Sequence, residues 1–171
     1  MKKLLTVLFI LALTGASAIA NPIGKWNHMP IKVYIEDNKN TYLMKKAFTA
    51  WEQSSNKLVR FEYVNSPENA DIPVYFVEKV EHGEHAVGLT TSQVKPDGTF
   101  IQAKIDIAKF SDLNTIKLSN FELLKIMKHE VGHAIGLPHS SNPNGIMNPT
   151  TNKVLDISKD DIRDLQAIYG K

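Results

Sequence analysis

The chain contains no cysteine in its 171 residues. That excludes a disulfide framework and a thiolate zinc cluster, and it leaves no thiol to carry a lipid anchor after the apolar N-terminal run. An excess of one charge is also lacking, with 20 Lys and Arg against 18 Asp and Glu. Lys2 and Lys3 fall in the first twenty residues, which hold no acidic group, so the remaining chain is balanced at 18 of each sign. Nothing in that balance points to nucleic acid or to an anionic surface. Internal repeats and low-complexity tracts are missing, and the long apolar run is confined to Leu4 to Leu13.

What is present begins with an export signal. Lys2 and Lys3 precede the apolar run, and Ala18-Ile19-Ala20 is a small-x-small cleavage site, with Ala16-Ser17-Ala18 as a near alternative. The run is too short to span a bilayer comfortably and has no stop-transfer flank. Residues 1–20 are therefore expected to be removed. Residues 21–171 then form one domain, enough for a substantial core and too few for two. The expected product is secreted (extracellular, or periplasmic where the source has an outer membrane), monomeric and not held at a membrane.

The order of elements predicts an α/β fold. Ile31 to Ile35 alternates as a strand, and residues 41–55 follow as an amphipathic helix through Leu43, Ala47, Ala50 and Trp51, with Met44 and Phe48 beside them, capped by Asn40 or Thr41. Val59 to Val64 and Asp71 to Val77 are two more strands, the latter apolar enough to be covered on both faces. Strand, helix, strand, strand implies crossovers and a mostly parallel sheet. Ala86 to Gln93 and Thr99 to Ile107 add two strands around the turn signal Lys95-Pro96-Asp97-Gly98. Ser119-x-x-Glu122 is a capping box opening a second helix, with Phe121 expected to pack at its first turn. Ser158, with Asp160 and Asp161, opens a third. His28, in the lead-in, is expected to be exposed or locally bonded.

Chemistry concentrates in residues 129–147, HEVGHAIGLPHSSNPNGIM. His129 and His133 are one helical turn apart on one face, so two imidazoles can meet one metal ion. Glu130 points in a different direction and can stand beside the metal as a base. Gly136 permits the left-handed turn that ends the helix, and His139 returns as a third nitrogen ligand. Three imidazoles leave zinc an open position for water, which is the composition of a catalytic rather than a structural site. A bare HExxH recurs by accident on amphipathic helices. The full pattern, with Met147 eight residues after His139 in Gly145-Ile146-Met147-Asn148-Pro149, is hard to reach by coincidence.

From His129 to His139, together with Met147, the sequence resembles the metzincin zinc peptidases, and Ser140 after the third His resembles their matrixin branch. Ser158 to Gly170 is similar to the closing helix of matrixin catalytic domains. The resemblance implies a zincin-like fold, a twisted and mostly parallel five-stranded sheet with an antiparallel edge strand and three helices. It implies one catalytic zinc ion on His129, His133 and His139, with Glu130 accepting the proton of the attacking water and passing it to the leaving amine. Met147 would lie beneath the metal as a packing floor, with Asp161 bracing that turn. An extended protein or peptide substrate would pair with the edge strand at Ala86, Gly88, Leu89 and Thr90, and Asn148 and Pro149 would wall the pocket beyond the scissile bond.

Some features of the family are missing. Matrixins carry a structural zinc and calcium ions near the position of Glu81-His82-Gly83-Glu84-His85, but their supporting ligands are replaced here by Gly88-Leu89-Thr90 and Ile101-Gln102-Ala103-Lys104. A solvated loop at His82 and His85 is expected rather than a second metal. The thiolate that silences matrixin zymogens has no counterpart, so activity on export, or restraint by a separate inhibitor, is expected. Two other functions share the motif: a zinc-dependent module that binds peptide or glycan without cleaving it, and an amidase acting on cell-wall peptides. The intact Glu130 argues against pure binding.

Overall fold

The computed structural model describes residues 21–80, 86–108, 118–150, 154 and 156–170. The proposed signal peptide and the Glu81–His85 loop lie outside the described residues. In chain order the elements are β1 (Ile31–Ile35), α1 (Thr41–Ser54), β2 (Phe61–Tyr63), β3 (Ile72–Val77), β4 (Gly88–Val94), β5 (Phe100–Ala108), α2 (Asn120–Ala134) and α3 (Lys159–Tyr169).

The sheet order is β2-β1-β3-β5-β4. β1 pairs in parallel with β2 and β3, and β3 pairs in parallel with β5. β4 alone runs antiparallel, with Gly88 opposite Ile107 and Thr90 opposite Ile105. This is the expected mixed sheet with one antiparallel edge. The reversal follows from the turn at Lys95 to Thr99: Gly98 adopts φ 83°, and its N–H donates to the Lys95 carbonyl at 2.9 Å. A hairpin connection forces antiparallel pairing, whereas the longer links earlier in the chain permit crossovers.

Several boundaries differ from the sequence expectation. β2 is only three residues long, because the chain leaves α1 through two left-handed residues, Asn56 and Lys57, and the strand has a neighbour on one side only. The fully buried stripe of α1 is Met44, Ala47, Phe48 and Trp51, so it is centred towards Met44 and Phe48, with Leu43 and Ala50 half-buried at its edge. Asn40 occupies the cap position of α1 without a side-chain bond to it; Thr41 instead donates its hydroxyl to the Glu36 carbonyl at 3.1 Å. Phe121 does not pack at the first turn of α2. It is 73% exposed, since full burial along this helix begins only at Met127.

The two N-terminal helices meet over the sheet. Trp51 of α1 is fully buried and donates its indole N–H to the Lys128 carbonyl of α2 at 2.8 Å. Around it Ile31, Val33, Ile72, Val74, Ile105 and Ile107 from the sheet join Met127 and Val131 of α2 in one apolar cluster. An aromatic of this size buried with its polar atom satisfied is a large stabilising contribution. It fixes α2 at the point where the His-bearing turns begin. Among the described residues no helix is long and apolar enough to cross a membrane.

Candidate metal centre

α2 carries the first part of the site. Ser119 caps it as predicted: its hydroxyl accepts from the Glu122 N–H at 3.3 Å and the Glu122 carboxylate accepts from the Ser119 N–H at 2.7 Å. Helical spacing then sets His129 and His133 on one edge, with ring centroids 4.6 Å apart. The helix ends at Gly136, whose φ of 102° is costly for other residues, and whose missing side chain leaves room for the Gly24 carbonyl. A Cβ there would lie 2.2 Å from that oxygen. The turn brings the Leu137 carbonyl onto His133 Nδ1 at 2.8 Å and sends the chain back to His139.

The three rings face one point. His129 Nε2 lies 3.0 Å from His133 Nε2 and 3.2 Å from His139 Nε2, and one nitrogen from each ring falls within 4.8 Å of the others. Three nitrogens bound tetrahedrally to zinc at about 2.0–2.1 Å stand roughly 3.3 Å apart, so the spacing fits a single ion. The far nitrogens fix the tautomers. His129 Nδ1 sits 2.8 Å from the Ile146 carbonyl and His133 Nδ1 sits 2.8 Å from the Leu137 carbonyl. A carbonyl only accepts, so each Nδ1 donates and each Nε2 offers its lone pair to the common point. Burial, helped for His133 by the charge of its neighbours, pushes the His133 pKa down to about 3 and lowers those of His129 and His139. Near neutral pH all three rings are therefore neutral donors, the form that binds a metal.

Met147 is buried against the histidine-bearing helix. Its sulfur presses on the helix backbone at Gly132, where an added Cβ would meet it at 2.3 Å. The turn that carries it is gripped by Asp161 of α3, whose carboxylate accepts from the Ile146 N–H at 2.9 Å and the Met147 N–H at 3.4 Å. Asp161 is 3% exposed. The neighbouring Asp160 points elsewhere, accepting from the Asn142 side chain and from Arg163 at 2.7 Å each.

Glu130 is 6% exposed and its side chain lies against β4. Its Oε2 accepts from the Thr90 hydroxyl at 2.7 Å. Burial pushes its pKa up to about 7, and the Thr90 bonds oppose that rise. A carboxyl poised near neutral pH suits proton transfer in both directions.

The remaining sequence candidates are more dispersed. Gly88, Leu89 and Thr90 lie in β4, while Ala86 precedes the strand. Asn148 is buried and turns its side chain onto Thr150, and Pro149 is exposed. His28, as expected, is exposed, with Nδ1 3.1 Å from the neighbouring Asn27 side chain; its Nε2 also lies 2.9 Å from Asp71, 43 residues on. Three features escaped the sequence reading: the two carbonyls that orient the rings, and the Thr90 side chain. Backbone acceptors carry no residue-type signal. A hydroxyl on a strand has one only when its facing helix is known.

Comparison with known proteins agrees with this geometry. The matrixin family model matches residues 25–170. The chain is 32% identical over 139 residues to macrophage metalloelastase of Rattus norvegicus, covering 75% of this chain and 28% of that protein. It is 33% identical over 139 residues to neutrophil collagenase of Homo sapiens, covering 74% and 28%, and 30% identical over 142 residues to metalloendoproteinase 1 of Glycine max, covering 73% and 44%. The chain thus spans less than half the length of these relatives. With the five-stranded mixed sheet, three helices and a zinc-compatible histidine cluster in place, the chain belongs to the matrixin family.

Proposed function

We propose that this protein is a secreted zinc endopeptidase in which His129, His133 and His139 hold the ion and Glu130 serves as general base and then general acid. The observation that carries the reading is the convergence of three Nε2 atoms whose Nδ1 atoms are each, for His129 and His133, tied to a carbonyl. His129 and His133 thus both aim a lone pair at the point that His139 Nε2 also reaches, an arrangement that a bound cation stabilises. Zinc bound there supplies a Lewis acid and lowers the pKa of water to about 7.

The chain's own groups supply the rest. Glu130, buried with its pKa near neutrality, accepts a proton from the attacking water and returns it to the leaving amine. β4 closes one end of the sheet order, and its outer main-chain groups are suited to pairing with an extended substrate. Such pairing gives affinity through main-chain bonds and a weak sequence preference. Met147 keeps the floor of the site dry, and Asp161 holds the turn beneath it. Export rests on the pattern from Lys2 to Ala20.

The test is cleavage of a broad set of quenched peptides by residues 21–171 and by Glu130→Ala, with zinc measured on both. Cleavage near neutral pH that disappears in the variant, with one zinc per chain retained, supports the reading. Zinc on both with no cleavage of any peptide would transfer the site to a binding module or an amidase. A folded wild type that takes up no zinc would overturn the assignment.

A further inference from the structure

β4 does more than end the sheet. Alternation along a strand puts Gly88 and Thr90 on one face, and both meet Glu130 of α2. The Thr90 hydroxyl lies 2.7 Å from Glu130 Oε2 and 3.0 Å from Glu130's own main-chain oxygen. At Gly88 an added Cβ would come within 2.7 Å of both Oε1 and Cγ of Glu130. The carboxylate is thus held at Oε2 by a hydroxyl while its other oxygen and its stem lie against a residue with no side chain. A larger residue at 88 would displace it.

We infer that Thr90 is a positioning residue for Glu130, and that β4 couples the placement of the base to the strand on which substrate would dock. The inference rests on the endopeptidase reading for its kinetic consequence, though not for the contact itself. A threonine hydroxyl has one hydrogen and two lone pairs. The Thr90 hydrogen can reach either Glu130 Oε2 or the Glu130 main-chain oxygen, so one hydroxyl ties the carboxylate to β4 and to its own helix backbone. Holding the carboxylate in place lowers the reorganisation that its reaction requires.

Position matters because the Thr90 main chain belongs to the edge strand. Substrate pairing with β4 would pull on the element that clamps Glu130, so docking and base placement share one rigid piece. A hydroxyl serving only the fold would not link them.

The experiment compares Thr90→Val, which keeps the branched shape and removes the hydroxyl, with Thr90→Ser, which restores it. Thr90→Val is expected to lower kcat about 10–100-fold with KM changed less than about twofold and zinc retained at one per chain. Thr90→Ser is expected to recover kcat to within about threefold of wild type. A second readout needs neither metal nor substrate. In the metal-free protein, the fall in Tm caused by Thr90→Val should shrink to less than about half when Glu130 is already Ala. Unchanged kcat in Thr90→Val, a change confined to KM, or failure of Ser to rescue would overturn the inference. If the wild type cleaves nothing, the function fails but the Tm cycle still decides the contact: full additivity sinks it, coupling sustains it. If Thr90→Val does not fold, the same cycle is run with Thr90→Ala.

Discussion

Two helices of this protein begin with the same local device and end in different roles. At α2, Ser119 and Glu122 exchange a capping box, with the Glu122 carboxylate 2.7 Å from both the Ser119 N–H nitrogen and its hydroxyl oxygen. At α3, Ser158 and Asp161 do the same at 2.8 and 2.7 Å. Glu122 stands at the surface, whereas Asp161 is buried and accepts as well from the Ile146 and Met147 N–H groups. Ile146 in turn offers its carbonyl to His129 Nδ1. One box ends at its own helix; the other reaches a candidate metal ligand in two further bonds. A capping pattern in sequence is a statement about a helix terminus only. What its carboxylate does besides depends on which chain segment is packed against it.

The contrast can be broken most forcefully at Asp161. Asp161→Ala leaves four donor groups without their acceptor, two of them in the buried turn under Met147. A loss on the order of 3 kcal/mol is expected in denaturant unfolding, because buried orphans cost more than a bond is worth. Zinc affinity, measured by competition with a chelator, should weaken about tenfold or more, as it does when an outer partner of a ligand is lost. A variant equally unstable but with unchanged zinc affinity would mean that the brace ends at the Met-bearing turn.

Removing the metal sharpens the same comparison without mutation. With the rings released, the His129 bond to the Ile146 carbonyl loses its anchor. Hydrogen exchange at the Ile146 and Met147 amides should speed up on chelation, while the Glu122 amide, held by Ser119, exchanges as before. Equal acceleration at both places would show that the whole of α2 loosens and that Asp161 transmits nothing particular.

The histidine motif was legible in sequence because each of its parts is a local rule. Spacing of four puts His129 and His133 together, Gly136 turns the chain, and burial does the rest. The sheet's crossovers and its antiparallel end also followed from element order and one turn. Phe121 and the centre of the α1 stripe did not, since periodicity gives a stripe but not the neighbour that covers it. Thr90 was placed in the right strand for its main chain, yet its hydroxyl bond to Glu130 joins residues 40 apart in sequence. A pairing across that distance needs the fold itself.

A smaller effect is expected at Ser158. Ser158→Ala removes the hydroxyl that accepts from the Asp161 N–H at 3.2 Å but leaves the carboxylate's bonds to Ile146 and Met147. The cost should be about 1 kcal/mol, as for other lost caps, with zinc affinity changed less than about threefold. Comparison with Asp161→Ala then separates capping from bracing within one box.

The smallest effect, and the one with a pH signature, lies at the exposed box. The Ser119 backbone N–H, and then its hydroxyl, hold the Glu122 carboxyl below its ordinary value of 4.5. A carboxylate whose folded pKa is depressed adds stability above its unfolded pKa and loses it as pH falls through the folded value. Glu122→Gln should therefore be slightly less stable than wild type at pH 7, and the gap should close progressively below about pH 4.5. Reading the gap between two proteins, rather than either curve alone, cancels the protonation of groups they share. Zinc content at pH 7 should not differ, because Glu122 lies at the surface, more than a helical turn before the first ring, and its carboxylate is held by Ser119. If Glu122→Gln instead released zinc, both boxes would be tied to the metal, and burial would no longer be what distinguishes them.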